Sequence, residues 1–155
     1  MNNVAEQWKQ INGYPDYEIS SIGRCRSKDR VQIRRRVVNG KQLEEVIPWK
    51  GKILKPRYDT KGYVRYIIAH KKKRKQIKAH RCVVEHFDKP IPPGMQVNHI
   101  DGVKDNNDIS NLEVCTGREN MIHAVKMGLV KIPDNRGERN GMHRVNRAKR
   151  QSPKT

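Results

Sequence analysis

One histidine and two asparagines are set along Met95–His123, MQVNHIDGVKDNNDISNLEVCTGRENMIH, at positions that folding could bring together. His99 closes a short alternating run, Gln96-Val97-Asn98-His99-Ile100, in which Val97 and His99 face one side and Asn98 and Ile100 the other. Asn111 stands just before a second short strand, Leu112-Glu113-Val114, and Asn120 lies in the helix that follows. A strand–loop–strand–helix unit would gather His99, Asn111 and Asn120. A near-neutral imidazole can take a proton from water at pH 7. An asparagine oxygen is a neutral ligand for a hard cation, weaker than a carboxylate. Together these are the parts of a metal-assisted hydrolytic site.

The flanking sequence supplies the elements that must hold these residues. Thr116-Gly117-Arg118-Glu119 is a capping-box pattern and fixes a helix start. In that helix Asn120, His123 and Ala124 share one face, Met121 and Val125 another, and Gly128 is placed to end it. Between the strands, Asp101-Gly102 begins a turn and Asp105-Asn106-Asn107-Asp108 extends a loop that Asx side chains can tie to their own backbone. The loop is not a calcium-binding EF-hand: counted from Asp101, it lacks the glycine at the sixth position and the glutamate at the twelfth. Upstream, AHRCVVEHFD over 79–88 predicts one short helix with Cys82, Val83 and Phe87 inward, stopped by Pro90 and Pro92-Pro93-Gly94. His86 on it reads as a packing or hydrogen-bonding residue, and His80 is open between that and a functional role.

The chain has 155 residues and a net charge of +18, from 34 Lys+Arg against 16 Asp+Glu. Its hydrophobic fraction is 34% and its mean hydropathy -0.97, which implies a thin core. Such an excess of cations calls for a polyanion, and nucleic acid is the first candidate because neutralised phosphates release counterions. An anionic membrane is second, and no apolar run or broad-faced amphipathic basic helix supports it. Between residues 50 and 80, twelve cations stand against the single acid Asp59, with Tyr58, Tyr63 and Tyr66 interleaved. Gly62–Ala69 has strand composition, Lys71–Lys75 would be a hairpin tip, and Gln76–Ala79 the returning strand, a ribbon able to enter a groove or track a backbone.

The first 30 residues read as a small β-rich unit anchored by Trp8, Ile11, Tyr14, Tyr17 and Ile19, with turns at Asn12-Gly13, Tyr14-Pro15-Asp16 and Ser20–Gly23. Arg24 and Arg26 alternate onto one face, which could track phosphates or be merely solvated. Residues 30–50 look polar and irregular, a protruding hairpin or flexible insertion around the turn signal Asn39-Gly40. Cys25, Cys82 and Cys115 are far apart and odd in number, so they read as buried reduced thiols rather than a disulfide or zinc site. The N-terminus lacks the pattern of a secretory signal, which with reduced thiols points to the cytoplasm.

The Val-Asn-His-Ile-Asp-Gly run, the Asn-rich loop, Asn-Leu-Glu, Thr, Glu-Asn and the following His-Ala resemble HNH endonucleases of the phage and intron homing type, as does the 79–88 helix before them. Residues 8–27 are similar to a modular segment often attached to these nucleases. The resemblance covers most of residues 8–128. It implies an α+β fold: a ββα-metal (His-Me finger) nuclease core preceded by a small antiparallel β-rich region. It implies phosphodiester hydrolysis with one divalent ion, Mg2+ foremost and Mn2+ as the alternative, leaving 5′-phosphate and 3′-OH. His99 would be the general base and Asn111 would fix the hairpin and orient the base. Asn120 would bind the metal, with Asn98 where some relatives carry a metal-binding aspartate. His123 is open between a further ligand or phosphate contact and a structural hydrogen bond.

Three regions follow: a DNA-contacting module over 1–49, a basic ribbon plus nuclease core over 50–130 with the motif at 95–128, and a basic tail over 131–155 that should be disordered without DNA. The expected partner is double-stranded DNA, bound by a monomer or by a dimer, through Arg24, Arg26, Lys55, Arg57, Arg65, Lys71, Lys72, Lys73, Arg74, Lys75, Lys78, His80 and Arg118. The alternatives are an inactive DNA-binding protein on the same scaffold and a basic RNA-binding protein. The second leaves the 95–123 pattern unexplained.

Overall fold

The computed structural model describes residues 5–130 except Lys72, so the expected tail and that one lysine lie outside the described residues. The chain opens with a three-stranded antiparallel sheet of β1 (Trp8–Ile11), β2 (Tyr14–Ser20) and β3 (Cys25–Ser27). Asn12-Gly13 makes the first turn, as the sequence signals. Tyr14-Pro15-Asp16 does not make the expected second turn and begins β2 instead. The reason is a register shift: Gln10 pairs with Glu18 but Ile11 with Tyr14, so Pro15 has no partner on β1 and its missing N–H costs nothing.

Of the two readings of residues 30–50, a protruding hairpin or a flexible insertion, the hairpin is the one formed, and its strands are more regular than their polar sequence suggests. β4 (Arg30–Val38) and β5 (Lys41–Trp49) pair over nine residue pairs around Asn39 and Gly40, whose φ angles of 50° and 74° are those of a two-residue type I′ turn. No residue of this hairpin is buried.

A second three-stranded sheet joins β6 (Arg57–Tyr58), β7 (Val64–His70) and β8 (Lys73–Lys78). The lysine-rich tip is shorter than expected: Lys73, Arg74 and Lys75 belong to β8, and Lys71, with φ 48°, turns the chain. α1 (Ala79–Phe87) follows directly and buries Ala79, His80, Cys82, Val83 and Val84. The motif then forms β9 (Gln96–His99), a 3-10 turn at Ile109–Asn111, β10 (Leu112–Cys115) and α2 (Gly117–Lys126). The α+β architecture is the one expected. Among the described residues no helix is long and apolar enough to cross a membrane.

One hydrophobic cluster takes residues from the first sheet (Ile11, Tyr17, Ile19, Cys25), the second sheet (Val64, Tyr66, Ile68, Ile77), α1 and the β9–β10 hairpin (Val97, Leu112). α1 is its centre, with Val83 and Val84 at 0% and 1% exposure. The three cysteines are buried free thiols, and burial pushes Cys25 and Cys82 up to about 12, so both stay protonated at neutral pH.

Candidate active site

The β9–β10 hairpin pairs His99 with Leu112, Asn98 with Glu113, Val97 with Val114 and Gln96 with Cys115. A web of amides closes its far end. Asp101 accepts from Val103 N–H at 2.8 Å and from the side-chain amides of Asn111 and Asn106 at 2.9 and 2.6 Å. Asn111 returns the contact, its Oδ1 accepting from Asp101 N–H at 3.0 Å, and its amide also donates to the Asn106 carbonyl at 2.9 Å. These donors, Asn106 first, hold the Asp101 carboxyl below its ordinary value. Asn111 thus fastens the hairpin, but its amide reaches Asp101 and Asn106. The side chain bonded to the imidazole is Asn107, whose Oδ1 lies 3.3 Å from His99 Nε2.

His99 is 4% exposed. Its ring meets Tyr63 with centroids 5.9 Å apart and stands edge-on to His80 at 5.3 Å, while Tyr63 and His80 touch at 5.0 Å. Burial lowers the His99 pKa, so the ring is neutral and able to accept a proton at pH 7. Burial, and next the neighbouring His99, push His80 down to about 3. The expectation that His80 contacts DNA gives way here: at 5% exposure it backs onto His99 instead of reaching the surface. His86 fills the bonding role expected of it, with Nδ1 2.7 Å from the Cys82 carbonyl and Nε2 accepting from Asn12 N–H at 3.2 Å.

α2 crosses the hairpin. Its capping box is formed, Glu119 N–H donating to Thr116 Oγ1 and Thr116 N–H to the Glu119 carboxylate. Its end is a Schellman motif, with Gly128 N–H on Val125 O and Leu129 N–H on Ala124 O. Two side chains pin the helix to β9: Asn120 donates to Gln96 Oε1 at 2.7 Å, and His123 Nε2 donates to the Ile100 carbonyl at 3.1 Å. Of the two readings of His123, the structural hydrogen bond is the one present.

Asn98, His99, Asn120 and His123 line one cleft of about 310 Å³, with Tyr63 and Lys104 on its wall. Asn98 donates its amide to Glu113 at 2.8 Å. A carboxylate can only accept, so this bond fixes the amide's orientation and leaves Asn98 Oδ1 for another partner. Asn120, with its N–H2 spent on Gln96, keeps its Oδ1 likewise. This donor set suits a hard divalent cation held weakly. Among the described residues no group of three or more His, Cys, Asp or Glu is placed to hold a metal. Positive charge gathers at Tyr63, where Lys78 and Lys104 ammoniums lie 5.4 and 5.2 Å from the ring centroid.

The expected DNA contacts fall into two sets. Lys55, Arg57, Lys71, Lys73, Arg74, Lys75, Lys78 and Arg118 are exposed, and Arg57 and Arg65 pair across β6 and β7. Arg24 and Arg26 are occupied instead: Arg24 pairs with Glu6, and Arg26 with Glu18 at 2.7 Å, both over the Trp8 ring. The Asp/Asn run marks the site loop but does not single out Asn107. Tyr63 reads in the sequence as one more interleaved aromatic, with nothing local to place it beside His99.

A hairpin ending in a buried neutral histidine, crossed by a helix that brings an amide to the same cleft, is the ββα arrangement of an HNH nuclease. The sequence comparisons agree: residues 78–122 match the HNH endonuclease family and residues 6–69 the NUMOD4 motif, and the chain belongs to the HNH endonucleases. It is 40% identical over 118 residues to YosQ of Bacillus subtilis (strain 168), named as an SPbeta prophage-derived HNH homing endonuclease, covering 68% of this chain and 66% of that one. It is 30% identical over 127 residues to the DNA endonuclease I-HmuI of Bacillus phage SP01, covering 81% of this chain and 62% of that one. The solved structure of the HNH homing endonuclease I-HmuI superimposes with a TM-score of 0.62 at 26% identity, over 95% of this chain and 70% of that one. The chain therefore spans just under two thirds of the length of these two curated relatives.

Proposed function

We propose that the chain is a divalent-metal-dependent DNA endonuclease of the homing type. The observation that carries this reading is His99: a buried neutral imidazole on the wall of a cleft that it shares with two amide side chains whose N–H2 groups are already committed. His99 takes the proton of the attacking water. Asn98 and Asn120 would hold the ion through their oxygens, and Mg2+ or Mn2+ bound there would neutralise charge on the scissile phosphate and the departing 3′-oxygen. The products are a 5′-phosphate and a 3′-OH. Lys78 and Lys104 draw the phosphate backbone toward the cleft.

In this reading residues 1–49 form a module that contacts DNA, residues 50–130 hold the ribbon and the cutting centre, and the exposed cations of β6–β8 and Arg118 track phosphates on a duplex bound by a monomer. Asn98, where some relatives carry a metal-binding aspartate, favours one alternative, a DNA-binding protein that no longer cuts. Incubation of supercoiled plasmid with and without Mg2+ separates the two. Open-circle product that appears only with the metal supports the nuclease. His99→Ala should lower the cutting rate by roughly 10²–10⁴-fold and leave DNA affinity within a few-fold. Nicking by His99→Ala at the wild-type rate would remove His99 from the base role, and no nicking by the wild type with any divalent metal would favour the alternative.

A further inference from the structure

We propose that the N-terminal unit is part of the catalytic apparatus: Gly23 seats Asn107, and Asn107 holds His99 as its Nε2–H tautomer, leaving Nδ1 as the basic nitrogen. This rests on the reading of His99 as the base and adds two positioning residues to it.

The argument starts at Asn107, which is 3% exposed. Its Nδ2 donates to the Asp105 carbonyl at 2.9 Å, and that bond fixes which end of the amide faces the imidazole. The end that remains, Oδ1, lies 3.3 Å from His99 Nε2. An amide oxygen only accepts, so the ring nitrogen opposite it must carry the hydrogen, and in a neutral imidazole the lone pair is then on Nδ1. Tyr63 and His80 pack against the ring and set its plane. Neither contact chooses a tautomer.

Asn107 is held from the other side by the β2–β3 turn. A Cβ added at Gly23 would stand 2.3 Å from Asn107 Cβ and 3.3 Å from its Cγ, so the asparagine rests directly on a glycine α-carbon. Gly23 has φ +83°, and no side chain other than hydrogen fits both the backbone and the contact. The turn is itself anchored: Tyr66 Oη of β7 donates to the Gly23 carbonyl at 3.1 Å, and Ile109 N–H donates to Ser21 O at 2.8 Å. The line of contacts runs from the first sheet to the imidazole through one side chain.

The test uses the full chain and two readouts. Gly23→Ala should lower kcat for plasmid nicking by roughly 10²-fold, the scale of an ångström's displacement at a reacting group, with DNA affinity within about twofold of wild type on that same displacement argument. Gly13→Ala is the control, since Gly13 lies in the same sheet with φ +76° and nothing within 4 Å of the added Cβ; it should cut like wild type. The second readout does not need cutting: long-range proton–nitrogen NMR correlations should show His99 as the Nε2–H tautomer in the wild type and a mixture, or the Nδ1–H form, in Asn107→Leu. Wild-type His99 in the Nδ1–H form, or an unchanged tautomer in Asn107→Leu, overturns the proposal even if Gly23→Ala does not fold. Gly23→Ala cutting at the Gly13→Ala rate overturns the role of the N-terminal unit. Cutting by His99→Ala would instead sink the base reading, and the NMR result stands apart from it.

Discussion

Two hairpins in this chain have opposite constructions. β4–β5 has nine residue pairs and a tight type I′ turn, yet its apolar side chains stand in solvent, with Val31, Ile33, Val37 and Val46 between 57% and 68% exposed. β9–β10 has four pairs and a long loop, yet Val97, Asn98, His99, Leu112 and Cys115 are buried and the loop is laced by side-chain amides. The backbone ladder is longer where the structure is less anchored. Ladder bonds replace bonds to water and contribute little net free energy each, so a two-stranded ribbon without a buried face is marginal. Burial and satisfied polar groups are what fix a hairpin in place, and His99 is on the one that has both.

The largest expected effect comes from deleting the same side-chain atoms in two settings. Ile19→Ala, at 0% exposure in the shared core, should cost about 2–5 kcal/mol of unfolding free energy. Ile33→Ala, at 57% exposure in β4, should stay within about 0.5 kcal/mol. Urea melts of both variants decide it. Equal losses would mean that the β4–β5 ribbon is packed against something the isolated chain supplies.

Next in size is Asn111→Ala. It removes three side-chain hydrogen bonds, to Asp101 N–H, to the Asp101 carboxylate and to the Asn106 carbonyl. At roughly 1 kcal/mol each the loss is about 2–3 kcal/mol. Backbone amides of β9 and β10 should exchange faster with solvent, while those of β4 and β5 keep their wild-type rates. Uniform acceleration across both hairpins would show that the amide web does not act locally.

What the sequence made legible was local. Asn12-Gly13 and Asn39-Gly40 specify their turns, Thr116–Glu119 its cap, and Ala79–Phe87 its helix, because each needs only neighbours along the chain. The ordered pattern pointed to His99 and Asn120, which line one cleft, while Asn111 ties Asp101 and Asn106 instead of reaching the imidazole. Pro15 inside β2 was illegible because a register shift between strands removed its cost. The Asn39-Gly40 turn announced the hairpin of residues 30–50, but the length of its strands was hidden by polar and charged faces that carry no periodic burial. Asn107 and Tyr63 gain their places at His99 through tertiary contacts, from a β2–β3 turn and from a second sheet, that no spacing in either segment records.

The smallest effect concerns charge in the loop. Asp101 has its pKa below the ordinary value because Asn106, the Val103 N–H and Asn111 all bond its ionised form. A carboxyl whose folded pKa is lower than its unfolded one contributes stability in full above the unfolded value, and loses that contribution as the pH falls through the folded value. The wild type should therefore be more stable than Asp101→Asn at neutral pH, and thermal melts should find the gap narrowing once the pH is below about 4. The gap stays small because the group is solvent-exposed, where ionic bonds are screened, and because Asn111 still bonds Asp101 N–H when the carboxylate is gone. A gap that held constant with pH would assign the loop's order to the amides alone. The hairpin's rigidity would then be independent of the positive field around it.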